Sequence, residues 1–189
     1  MSEQAVPVAS CQVLTIGVAI GVPEPYAGLV RRARRGYGDP LADLVRTHVT
    51  LLGPTPWPPQ ALPAVETHLA RVARDVAPFR IGLAGSGTFR PITPVVFLRL
   101  AQGVEGCAVL AGAVRDGPLA GEAAFPYHPH VTLAHGVADD RLDAAQRDFA
   151  TYTAEFDVDH VSLYVLEPGA PWRVAGGFEL TGAQSTAEG

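Results

Sequence analysis

The tetrapeptide His-Val-Thr-Leu occurs twice, at His48-Val49-Thr50-Leu51 and again at His130-Val131-Thr132-Leu133. Successive side chains of a β-strand point to opposite faces, so each copy puts its His and Thr on one face and its Val and Leu on the other. One face carries an imidazole beside a hydroxyl, and the other belongs to a core. On average residue usage, a chance recurrence of all four letters falls below about one in a thousand. The copies start 82 residues apart, close to half of the 189-residue chain. The spacing predicts an internal duplication, with two pseudo-two-fold-related lobes over roughly 12–85 and 86–180 whose chemical faces line one central cleft.

Around the two motifs the apolar pattern alternates between strand and helix periods. Gln12 to Ile20, rich in Val, Ile and Leu, reads as a buried strand, and Pro23-Glu24-Pro25 opens a helix that runs to Arg35. Gly36, Gly38 and Pro40 end that helix, and the first motif forms a strand over residues 48–52. Gly53 to Pro59, with prolines at 54, 56, 58 and 59, is expected to be a stiff loop. Leu62, Val65, Leu69, Val72 and Val76 form one stripe of a helix from Ala61 to Val76, with His68 at its edge as a structural or surface histidine. Strands are expected at Phe79–Leu83 and Val95–Leu100, joined by a turn from Gly85 to Pro91. Glycines beside Thr88 resemble a phosphate loop only weakly, because prolines rather than a helix N-terminus follow.

A helix from Val104 to Val114 turns Val104, Cys107, Ala111 and Val114 inward, and Asp139 is expected to cap a helix carrying Leu142, Ala145, Phe149 and Tyr152. Two strands, near Val158–Leu166 and Trp172–Leu180, close the fold. Residues 1–10 read as a loose leader and 181–189 as a mobile polar tail.

Composition narrows the partners. A net charge of −5 argues against wrapping long nucleic acid through many phosphate contacts, and leaves a small phosphate ligand or an RNA end. Arg31, Arg32, Arg34 and Arg35 read as a solvated helix face. Apolar runs such as Val13 to Ile20 fall far short of the roughly 20 residues that span a bilayer. Met1-Ser2-Glu3-Gln4 lacks the basic and apolar regions of a secretory signal, so a cytoplasmic protein without a membrane partner, and a monomer, is the expectation. Cys11 and Cys107, far apart and without metal-type spacing, read as buried thiols.

Two histidines and two hydroxyls facing one cleft suit phosphoester chemistry. Opening a cyclic phosphodiester takes a base to activate the attacking water or hydroxyl and an acid to protonate the leaving oxygen. Imidazole, with its ordinary pKa near 6.5, populates both states at neutral pH. Threonine hydroxyls on the same faces can donate to non-bridging phosphate oxygens. This chemistry needs no metal and no organic cofactor.

On these residues the sequence resembles the 2H phosphoesterase superfamily, in its 2′-5′ RNA ligase-like and RNA 2′,3′-cyclic phosphodiesterase branch. The two His-x-Thr-x motifs carry the resemblance, with Pro129 just before the second, the Gly87-Thr88-Phe89 turn and the apolar strand after it; it spans residues 12–180. It implies a bilobal α+β fold, antiparallel sheets around a central cleft with helices outside, and metal-independent action on 2′,3′-cyclic phosphates or 2′-5′ linkages, with ligation as the reverse. It makes His48 and His130 the acid/base pair and Thr50 and Thr132 the phosphate binders. Bacterial members often carry Arg three residues after the second Thr, where this chain has His135. Phe97, Arg99, Tyr127 and His135 are candidate cleft-lining residues; the first two could stack on a base and pair with phosphate, although an ordinary core aromatic beside a rim charge is the favoured reading of that pair, and Phe125 is a neighbour of the same kind as Tyr127.

Two other readings stay open. His128, His130 and His135 could ligate a metal, although His135 falls at odd spacing and would face the other side of an unbroken strand. A nucleotide-binding module without catalysis would use the same motifs for binding alone.

Overall fold

The computed structural model describes residues 13–121 and 125–183. Cys11, the leader and most of the tail lie outside them. Eight strands and four helices follow in the order β1 Leu14–Gly21, α1 Tyr26–Tyr37, β2 His48–Trp57, α2 Leu62–Asp75, β3 Phe79–Thr88, β4 Val95–Gln102, α3 Val104–Val114, β5 His130–His135, α4 Asp139–Asp148, β6 Thr153–Val158, β7 His160–Leu166 and β8 Arg173–Glu179. All neighbouring strands are antiparallel, in one sheet ordered β6-β3-β4-β5-β2-β1-β7-β8.

The sheet has a seam. β2 and β5, the two motif strands, meet at the centre through one backbone pairing, Val49 opposite Val131. Four strands lie on either side, and the connectivity reads alike outward from the seam: β2 then β1, and β5 then β4. β3 follows the first motif yet pairs with β4, while β7 follows the second motif yet pairs with β1. Each half of the chain thus lends a strand to the other. The helices cross over too: α1 packs on β5 and against α4, and α3 packs on β2 and against α2. All four bury their apolar stripes on one face of the sheet, where Val49, Leu51, Val131 and Leu133 are fully buried in the common core.

Several elements depart from their sequence patterns for local reasons. β2 continues to Trp57 through the proline run, with Thr55 opposite Ile16, Pro56 opposite Thr15 and Trp57 opposite Leu14. β5 covers the other edge of β2 only at Val49, so prolines at 54 and 56 remove N–H groups where no ladder bond is demanded. β3 likewise runs through the glycines expected to turn. Gly85, at φ +67°, sits in an irregularity of the ladder between Leu83 and Ser86, and the turn falls at Phe89–Pro94 instead. Val104 is exposed and Leu110 takes its place in the core. Asp139 does not cap α4: Ala138 holds that position, and Asp139 and Asp140 complement the helix dipole from the first turn. β6 went unpredicted, although its burial alternates strictly through Ala154, Phe156 and Val158.

Candidate active site

With Val49 opposite Val131 in an antiparallel pair, His48 stands across from Thr132 and Thr50 across from His130. The two imidazoles are diagonal neighbours on the face that the helices leave open. Diagonal positions of this kind lie about 7–8 Å apart. All four side chains are half-buried.

Both rings are held in the same way. His48 Nδ1 lies 2.6 Å from the Arg46 carbonyl oxygen, and His130 Nδ1 lies 2.8 Å from the His128 carbonyl oxygen. A carbonyl only accepts, so Nδ1–H is the donor in each ring and the proton-exchanging nitrogen left over is Nε2. His48 Nε2 sits 3.0 Å from Thr50 Oγ1, which donates to it while the ring is neutral. His130 is braced instead by rings: Phe89 edge-on at 4.9 Å and Phe97 at 5.3 Å between centroids.

Burial lowers the pKa of both histidines below the ordinary imidazole value, partly offset in each by the carbonyl hydrogen bond. Arg34 lowers His48 further, and His128 and His48 lower His130. A proton on one imidazole therefore disfavours a proton on the other.

Arg34 is a residue the arginine run concealed. Arg31, Arg32 and Arg35 are exposed, whereas Arg34 is 4% exposed, with Nε donating to Asp39 Oδ2 at 2.9 Å and Nη1 to the Val45 carbonyl at 3.3 Å. It lines a cavity of about 320 Å³ that also reaches His48, Thr50, Thr132 and His135. His135 gets there through a break in alternation. Phe97 pairs with Thr132 and Val96 with Ala134, so Leu133 is the extra residue of a bulge; Leu133 and Ala134 both enter the core and His135 returns to the cleft face. The odd spacing that would turn His135 away in a regular strand is thereby cancelled.

The other candidates are placed differently. Phe97 is 4% exposed, stacked 4.3 Å from Phe89 and against His130, as a wall rather than a free platform. Arg99, across from His130, lines a separate cavity of about 380 Å³ with Ser86, Asp143, Gln146 and Arg147. Tyr127 does not line the cleft cavity: its hydroxyl donates to the Thr50 carbonyl at 3.1 Å and its ring lies under the Arg115 guanidinium, 4.9 Å away. Phe125 is exposed. His68 is buried, bonded through Nε2 to the Val114 carbonyl at 3.1 Å, the structural one of the two roles expected of it. Among the described residues, no group of three or more His, Cys, Asp or Glu side chains is placed to hold a metal ion. Among them, too, no helix is long and apolar enough to cross a membrane.

A sequence profile of the 2′-5′ RNA ligase superfamily matches residues 22–170, which include both motif strands and the seam. The chain belongs to the 2′-5′ RNA ligase superfamily. Relatives within this superfamily include a provisionally named phosphoesterase of Halalkalibacterium halodurans, 26% identical over 170 residues that cover 88% of this chain and 98% of the relative. Another, from Bacillus cytotoxicus, is 26% identical over 171 residues, 88% and 97% of the two chains. Among solved structures, TT0787 of Thermus thermophilus superposes with a TM-score of 0.61 at 24% identity, over 90% of this chain and all of the other. LigT of E. coli superposes at 0.62 and 20% identity, over 90% and 99%. The superfamily fold, an antiparallel sheet with helices on its outer side, is thus the fold of this chain.

Proposed function

We propose that the chain is a phosphoesterase that opens 2′,3′-cyclic phosphates, or cleaves 2′-5′ phosphodiesters, on nucleotides or RNA ends. The observation that carries this reading is the matched pair of imidazoles. Each has its Nδ1–H committed to a carbonyl two residues upstream, and each Nε2 lies on the open face of adjoining strands. E. coli LigT, which shares the fold, has been crystallised with 3′-AMP, NADP+ and ATP, which is in keeping with a nucleotide ligand here.

In hydrolysis, one neutral Nε2 takes a proton from water as the water oxygen forms a bond to phosphorus. The other ring, protonated, gives its Nε2 proton to the ribose oxygen as the P–O bond breaks and its electron pair leaves with that oxygen. The product is a phosphate monoester, and the two rings have exchanged protonation states. Thr132 donates to a non-bridging oxygen, and Thr50 does so after giving up its bond to His48. Ligation is the same sequence in the same direction with a ribose hydroxyl in place of water, which gives a phosphodiester; its reverse cleaves that diester.

His48→Ala and His130→Ala should each lower turnover of nucleoside 2′,3′-cyclic phosphates by about 10²-fold or more, in the presence of chelator, on the usual scale of acid–base catalysis. Full activity in either variant would discard the assignment. Because burial lowers both free-enzyme pKa values, the bell-shaped profile of kcat/KM should peak on the acid side of 6.5. Bound substrate is anionic and favours imidazolium, so the kcat profile should move to higher pH.

A further inference from the structure

The two halves of the cleft differ in what stands beside each motif. Phe97 lies opposite Thr132, and the equivalent position opposite Thr50 is Ala19; Arg99 lies opposite His130, and Gly21 opposite His48. On the β4 side Phe97 and Phe89 fill the space next to His130. On the β1 side, Ala19 and Gly17 leave it open, and the cavity of about 320 Å³ occupies what they vacate. A volume of that order is at the lower end of small-ligand pockets.

Beyond the motif residues and Arg34, Arg46 and His135, this cavity is lined by apolar and aromatic residues. Trp172 lies over the β1 backbone, its ring 3.8 Å from where a Cβ on Gly17 would stand, and Tyr164 is the β7 partner of Gly17. Leu41 and Leu44, 37% and 58% exposed, also line it. A half-buried indole and exposed leucines, in one cavity with His48, Thr50 and Thr132, fit a flat apolar ring attached to a phosphate. With Phe97 and Phe89 filling the space next to His130, the cavity on the β1 side is open to the remainder of the substrate beside His48, Thr50 and Thr132.

We propose that the cavity is a nucleobase subsite: the base of the nucleotide whose phosphate lies between the motifs stacks against Trp172, over the floor left open by Gly17 and Ala19. The proposal rests on the phosphoesterase reading for its phosphate end. Trp172, Tyr164 and the leucines supply apolar and aromatic lining, so the subsite grips any base by stacking and favours purines for their larger area.

The test compares adenosine 2′,3′-cyclic phosphate with glycerol 1,2-cyclic phosphate, which lacks a base. Trp172→Ala should lower the kcat/KM preference for the adenosine substrate about tenfold or more, the scale of one lost base–aromatic stack, and Trp172→Phe should restore most of it. Ala19→Phe, which copies the filled half, should lower the same preference without touching Trp172. An unchanged preference in both Trp172→Ala and Ala19→Phe overturns the subsite. If wild-type protein opens neither substrate, the phosphoesterase reading falls by itself, and calorimetry with adenosine 3′-monophosphate decides the subsite. Binding weakened about tenfold or more by Trp172→Ala supports it, and equal or absent binding in wild type and variant overturns it.

Discussion

At the scale of single residues, the site depends on a few polar groups whose surroundings override their type. Arg34 has the charge of a surface residue and the burial of a core one. Its guanidinium and the Asp39 carboxylate, which also accepts from the Leu41 backbone N–H at 2.8 Å, tie the end of α1 to the segment that delivers His48. Removing one member strands the other charge away from water. Arg34→Met should therefore cost about 3–5 kcal/mol in a urea unfolding titration, while Arg34→Met with Asp39→Leu should recover most of it, because a well-packed apolar pair avoids the desolvation. The same single substitution takes a positive charge from the neighbourhood of His48, so the His48 pKa should rise, a shift readable from its imidazole proton resonances. Nothing in the letters Arg-Arg-Ala-Arg-Arg distinguishes the third arginine from the others. Burial of one of them is settled by where the loop after α1 folds back.

At the scale of elements, irregularities in the strands decide which side chains reach the cleft. Without the extra residue at Leu133, alternation would send His135 into the core, where an imidazole would lack partners. With it, position 135 faces the same cavity as Thr132. His135→Arg should then place a guanidinium beside Thr132, which we propose as a phosphate binder. It should tighten binding of inorganic phosphate, measured by calorimetry, by about tenfold, within the range of a charge-assisted hydrogen bond. No change would mean that the bulge does not aim this position at the anion. β2 teaches the converse lesson about prolines: Pro54 and Pro56 looked incompatible with a strand, and they are tolerated because the neighbouring strand stops short of them.

At the scale of the whole molecule, the crossing of β3 and β7 binds the two halves into one unit. Neither motif-bearing half keeps its own third strand beside its own first strand, and one hydrophobic core runs under both. The arrangement supports the duplication that we propose for residues 12–85 and 86–180, with the exchange of β3 and β7 added to it. Unfolding should be a single cooperative transition: in urea, tryptophan fluorescence and far-ultraviolet circular dichroism should give coincident curves. Trp57 and Trp172 both belong to the side of the sheet that contains β1, whereas circular dichroism reports on all of it, so separated curves would show halves that melt independently.

The repeated tetrapeptide by itself determined the motif strands, the face each motif residue takes and the family, because alternation in a strand is a local property and needs no partner to be read. Helix stripes such as Leu62 to Val76 were legible for the same reason. Tertiary structure alone decided that His48 and His130 sit diagonally across a seam, that Arg34 is buried, that His135 turns back to the cleft, and that one half of the cleft is filled by Phe97 while the other stays open at Ala19. Each of these depends on register between strands distant in sequence. Register is set by which long-range pairings bury the most apolar surface at once, a sum over the whole chain that no single stretch records.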